Sequence, residues 1–320
     1  MDGRTAMMHI IKKSLQLCLF GCMALLAALH AQASMPKAAE PKHLTVYMEQ
    51  IIGDGSYRNF KNAQELNRVS AWIREQMRLF GIPCQYQNYK VNDEAYRNVV
   101  CSLKTAHAGK VIVGAHYDVF EQSPGADDNA SGVAGVIETA RLLAAEKARL
   151  KKSVDFVFYT LEEPPFSHTE DMGSYVHAKS IEKLGDNIQG IYILEMIGYF
   201  DQNFVQQYPA GLKWFYPSHG NFIAAVGNLQ SRELTAGYCS AMKSLNLLQC
   251  ERLISPSFVQ HMDFSDHLSY WEFGLPAIMI TDTGSYRNRN YHSEQDTLAG
   301  LDTGKMAQVV NGLVNTILSE

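Results

Sequence analysis

Between residues 62 and 80, apolar side chains return at Leu66, Val69, Ile73, Met77 and Phe80, and Gly81 and Pro83 close the run. Spacings of three and four residues mark one face of a helix. Short apolar runs at 98–103, 110–115, 154–161, 188–194 and 277–281 read instead as strands. Further helices are expected from Ser131, read as an N-cap, to about residue 150, and at 175–184, 235–245 and 303–318. Strands alternating with helices predict the α/β class: a single domain with a central mixed, mostly parallel β-sheet flanked by helices on both faces. In such sheets ligands gather beyond the carboxyl ends of the strands. Residues 202–221, with Pro209, Gly211, Pro217 and Gly220, read as a long loop facing substrate.

The N-terminus breaks this pattern. Arg4, Lys12 and Lys13 precede an apolar run over 15–29, followed by Ala31-Gln32-Ala33. A basic start, a short apolar run and a small-x-small site predict a signal peptide over 1–33. The run falls short of the roughly 20 residues of a spanning helix. An uncleaved anchor and a lipoprotein site at Cys22 are the alternatives; Phe20 is bulky for the latter. Residues 34–42 are expected to be a linker, its 38–42 part rich in Pro, Lys and Glu, and 43–320 one domain. The export signal places the mature protein in the periplasm or outside the cell, with no membrane partner after cleavage. Cys84, Cys101, Cys239 and Cys250 then remain and permit two disulfides; three pairings are open, Cys239–Cys250 being the pair nearest in sequence.

Composition narrows the function. With 46% apolar and 19% charged residues in 320, the chain is neither disordered nor a disulfide-packed miniprotein. A formal charge of −5 without a basic block argues against a nucleic-acid partner.

The chemistry sits at the strand ends. The 110–115 strand runs into His116-Tyr117-Asp118, and residues two apart in an extended segment share a side. An imidazole there is a ready metal ligand, and a neighbouring carboxylate can accept its other N–H. GADDNASG (125–132) carries adjacent Asp127 and Asp128, which are costly to hold together without a cation. The 154–161 strand ends in Glu162-Glu163, one acid suited to a metal and one to a base. Glu195 follows the 188–194 strand, and His292 stands in NYHSEQDT (290–297).

GAHYD, GADDNASG, the Glu-Glu pair, LEMIGY, SDH and YHSEQDT stand in the order seen in the co-catalytic zinc exopeptidases. The chain resembles that family, which includes bacterial leucyl aminopeptidase, aminopeptidase S, glutamate carboxypeptidases and glutaminyl cyclases, over residues 95–300. The resemblance implies a phosphorylase/hydrolase-like fold and two zinc ions. Asp128 would bridge them, with His116 and Glu195 completing one site and Glu163 and His292 the other. Glu162 would be the general base for a metal-activated water, and Asp118 would orient His116. Asp127 and Asn129 would shape the turn, and Tyr291 stands where some relatives place a phenol that steadies the tetrahedral intermediate. The substrate implied is a peptide, shortened from its N-terminus. The alternatives are a one-zinc glutaminyl-peptide cyclotransferase and a non-enzymatic binding domain. Cyclases place a Trp-His pair at the last ligand, where this chain has Tyr291-His292.

Two features depart from the family. Glu195 stands where relatives mostly carry Asp. Residues 164–172 intervene before Gly173-Ser174 and could cap the substrate pocket; His168 within them reads as a loop residue. Ser265-Asp266-His267, preceded by Phe264, are expected to hydrogen-bond around the ligands, whereas His261 and Asp263 receive no role.

Overall fold

A computed structural model describes residues 38–182, 187–209, 211–254 and 265–319. The expected signal peptide, residues 34–37 of the expected linker, His261, Asp263 and Phe264 lie outside them. Pro41 and Lys42, read as linker, open helix α1 (Pro41–Ile52) instead; Pro is suited to a first helical position, where its missing N–H would have no partner. Helix α2 (Ala63–Leu79) follows the predicted stripe, and Asn62 caps it by accepting the Glu65 N–H.

A hairpin comes next. Strands β1 (Cys84–Val91) and β2 (Glu94–Leu103) pair in full register across Asn92 and Asp93, both at positive φ. Two central residues in that region give the turn whose twist matches a hairpin. Only the second strand was expected. Cys84 and Cys101 face each other across the hairpin and are joined as a disulfide.

The remaining elements are β3 (Lys110–His116), α3 (Gly132–Ala145), β4 (Ser153–Tyr159), α4 (Gly173–Glu182), β5 (Ile188–Leu194), β6 (Asp201–Val205), β7 (His219–Gly220), β8 (Ile223–Gly227), α5 (Arg232–Ser244), β9 (Cys250–Ile254), α6 (His267–Glu272), β10 (Ala277–Thr281) and α7 (Thr303–Ser319). The sheet runs β1-β2-β4-β3-β5-β10-β8-β9. Its centre, β4-β3-β5-β10, is parallel, whereas β2 runs antiparallel to β4 and β8 antiparallel to β10.

Side chains alternate between the two faces. Val111, Val113, Phe156, Tyr192, Leu194, Ile278 and Ile280 join one core beneath α1, α2, α3, α5 and α7. Ile112, Val157, Tyr159, Ile191 and Ile193 join a second beneath α4 and α6. Strands buried on both faces explain the unbroken apolar runs in the sequence.

Three local expectations need correction. Ser131 is not an N-cap: it is helical, and its Oγ donates to the Asp127 carbonyl while Asn129 Oδ1 accepts the Gly132 N–H. Helix α3 ends at Ala145, short of residue 150, with a separate 3₁₀ turn over Lys147–Arg149. The 202–221 segment is not all loop, because β6 and β7 pair within it.

Beneath α4 and α6, the Tyr270 hydroxyl lies 2.6 Å from Tyr159 Oη and 2.7 Å from His177 Nδ1, all three buried. Tyr270→Phe removes the group that both partners use. Leaving buried polar atoms unpaired predicts a loss of about 2–4 kcal/mol in unfolding free energy; a denaturant midpoint within error of the parent would show these bonds to be dispensable.

Candidate metal centre

The four parallel strands deliver their following residues to one end of the sheet. His116 closes β3, Glu162 and Glu163 follow β4, Glu195 follows β5 directly, and His292 lies in the segment after β10. Asp128 comes from the turn between β3 and α3. Leu161, Met196 and His292 take φ of 62°, 51° and 57°. For residues other than Gly this left-handed conformation costs roughly 1–2 kcal/mol each, and here it turns the chain at the sites where ligand-type side chains must point inward.

All five expected ligands converge, and Asp128 joins them into two sets. Its Oδ1 lies 3.4 Å from His116 Nε2, and its Oδ2 lies 3.2 Å from His292 Nε2. Glu195 Oε2 is 3.3 Å from His116 Nε2, and Glu163 Oε2 is 3.0 Å from His292 Nε2. Each set of one His and two acids can offer three donor atoms within 4.8 Å of one another. Glu162 approaches His116 Nε2 at 3.9 Å, and a third set, His116 with Glu162 and Glu163, overlaps the other two. His292 Nε2, though close to two carboxylates, makes no hydrogen bond, and neither does Glu163 Oε1. Nitrogen and oxygen atoms that converge without bonding one another fit a cation between them.

The electrostatics point the same way. Burial holds the Glu162 carboxyl well above the ordinary range. Burial, aided by Asp128, pushes Glu163 up to about 8, and burial raises Glu195 too. Burial acts upward on Asp128 as well, but the adjacent imidazoles of His116 and His292 outweigh it and hold that carboxyl below its usual value. Burial opposes charging His292, yet Asp128 and Glu163 raise it to about 10. Buried acids that repel one another are relieved by a divalent cation.

A second layer fixes the ligand loops. Arg58, which carried no sequence signal, is buried and donates to the carbonyls of Tyr117, Pro124 and Gly125 at 2.8, 2.6 and 2.7 Å. Asp296 accepts the N–H groups of Asp127 and Asp128, both at 3.0 Å. Asn129 ties the turn to β5, donating to Leu194 O and Glu195 Oε2 and accepting from Met196 N. Asp127 accepts from Gly198 N and Asn288 Nδ2. Ser265 donates to Glu195 Oε2 at 2.7 Å. Asp118 lies 3.5 Å from His116 Nδ1, and its two oxygens accept the N–H groups of Glu162 and Glu163, so its ordering reaches the glutamate pair.

Two hollows adjoin the cluster. A cavity of about 310 Å³ begins at Glu195, Met196 and Tyr291, whose ring stacks on His292, and Gln207, Tyr208, Leu212 and Tyr216 help to line it. Part of the 202–221 segment therefore borders this cavity. Residues 164–172 do not line it; Pro164 and Pro165 border the second hollow with Phe120, whose ring stacks on the His292 imidazole at 4.3 Å. His168 is exposed and outside the cluster.

An α/β fold with a two-histidine, carboxylate-rich centre at its strand ends defines the class, and comparison identifies the family. The model of peptidase family M28 matches residues 98–317, and the chain belongs to that family. A relative in Escherichia coli K12, uncharacterized protein YfbL, is 39% identical over 301 residues, 90% of this chain and 91% of its own. Among solved structures, the zinc aminopeptidase BSAP of Bacillus subtilis superposes with a TM-score of 0.70 at 12% identity, covering 88% of this chain and 95% of that one. A Bacteroides thetaiotaomicron glutaminyl cyclase superposes with 0.69 at 18% identity, covering 89% and 100%. The fold is thus shared by both activities and does not choose between them.

Two predictions follow from this geometry. Arg58→Lys replaces a planar fork by a point donor and is expected to cost about 2–4 kcal/mol in unfolding free energy; unchanged stability would detach Arg58 from the loops. In chelated protein, Glu163 titrates near 8 against 4.5 unfolded and His292 near 10 against 6.5. Both groups hold protons in the folded state that the unfolded chain releases, so stability falls as pH rises through 5 to 10. The melting temperature without metal should drop between pH 6 and pH 9, and zinc should abolish the drop; a rise over that interval would contradict the assignment.

Proposed function

We propose that the protein is an exported zinc aminopeptidase that removes N-terminal residues from peptides. The carrying observation is Asp128, whose two oxygens face two histidines, each with its own glutamate. His116, Asp128 and Glu195 would hold one ion, and Asp128, Glu163 and His292 the other. Two ions also account for all three carboxylates, whereas a single zinc leaves Glu195 uncompensated.

Zinc at such a centre lowers the pKa of a bound water toward about 7 and polarises a peptide carbonyl. The protein's own part is positional and protonic. Glu162, raised by burial, takes the proton of the attacking water and returns it to the leaving amine. Asp118 holds the backbone of the glutamate pair. Tyr291, packed on His292 and lining the cavity, donates its hydroxyl to the substrate carbonyl.

Residues 1–33 act as the export signal in this reading. Among the described residues no helix is long and apolar enough to cross a membrane. The cyclase alternative needs one zinc; the intact second donor set and Tyr291 at the position before the last histidine favour the peptidase.

Glu162→Gln is expected to retain zinc and to lose about 10²–10⁴ in kcat. Leu-initiated peptides with a free amine should shorten stepwise, and N-acetylation should stop this. Loss of ammonia from a Gln-initiated peptide without shortening would replace the proposal by the cyclase.

A further inference from the structure

The cavity that begins at Glu195 and Tyr291 holds a charge that this chemistry does not use. Strands β10, β8 and β9 turn one face to the core under α5 and α7 and the other to the cavity, which Met279, Thr281, Ala224, Val226, Glu251 and Leu253 line. Alternation along β9 confirms the facing: Cys250 is bonded to Cys239 of α5 and Arg252 Nε reaches Thr235 Oγ1 of α5, so Glu251 between them points the opposite way. Thr281 pairs with Ala224, and Ala224 with Glu251; on the other side the Glu195 N–H bonds the Ile280 carbonyl. One row therefore runs from the metal centre across β10 and β8 to Glu251. It spans three inter-strand steps of about 4.8 Å, roughly 14 Å between backbones.

The floor between the two ends is largely apolar, built from Phe222, Ala224, Val226 and Met279. Gln249 Nε2 donates to Glu251 Oε1 at 2.7 Å and orients the carboxylate. Among the described residues no basic side chain lines the cavity, and Glu251 forms no ion pair. An apolar side chain filling this space would cover an unpaired carboxylate, which is costly. A side chain with an aliphatic stem and a cationic head satisfies both the wall and its end.

We propose that Glu251 selects peptides whose N-terminal residue is lysine or arginine, the stem lying on the apolar floor and the cation meeting Glu251. The proposal rests on the aminopeptidase reading and names its substrate class. Binding tests it separately from turnover. Zinc-loaded Glu162→Gln protein is titrated calorimetrically with peptides that differ only in an N-terminal lysine or norleucine. Lysine is expected to bind about tenfold tighter or better, as a charge-assisted contact implies. Adding Glu251→Gln should bring the two peptides to similar affinity, and Glu251→Lys should make lysine the weaker. In enzyme with Glu162 intact, kcat/KM should follow the same order. Equal affinities with Glu251 present, or a preference untouched by Glu251→Gln, would overturn the assignment. Selective binding with no peptide cleaved would instead overturn the aminopeptidase reading and leave Glu251 as the selector.

Discussion

Buried like charges cannot be left facing one another, and much of this structure is arranged around that constraint. Asp128, Glu162, Glu163 and Glu195 come together around the two imidazoles of His116 and His292. Protonation is one answer, and burial pushes three of the four acids toward it. Divalent cations are the other, and the convergence of non-bonded donor atoms on Asp128 suits them better.

Holding the acids in place falls to groups that never need to meet an ion. The guanidinium of Arg58 clamps three carbonyls on the loops that carry His116, Asp118 and Asp128. Asp296 fixes the Asp127 and Asp128 amides, Asn129 locks the turn to the end of β5, and Ser265 restrains Glu195. The donors are thereby held to a geometry set by rigid strands rather than by loop preference, which is how a site stays organised despite internal repulsion.

Much of this was legible in the sequence. The parallel strands betrayed themselves as apolar runs because both faces are buried, and residues just beyond them proved to be the cluster. What escaped had physical reasons. Strands β8 and β9 sit toward one edge: the apolar run of β8 includes Ala224 and Ala225, residues of weak strand propensity, and β9 is interrupted by the charged Glu251 and Arg252. The β1–β2 turn uses Asn92-Asp93, a weaker signal than a pair ending in glycine. Ser131 resembled an N-cap because its hydroxyl suits that role; the neighbouring Asn129 amide took it. Arg58 is distant in sequence from everything it clamps, and only tertiary structure shows a buried fork there. The disulfide pairing likewise required the hairpin register.

In the proposed reading Asp128 would serve two ions at once. Elemental analysis of protein purified with zinc and dialysed against metal-free buffer tests it most directly, alongside Asp128→Ala and Glu195→Ala. The account predicts two zinc ions per chain in the parent protein, loss of both with Asp128→Ala, and loss of one with Glu195→Ala. A single zinc in the parent protein that survives Glu195→Ala would contradict it.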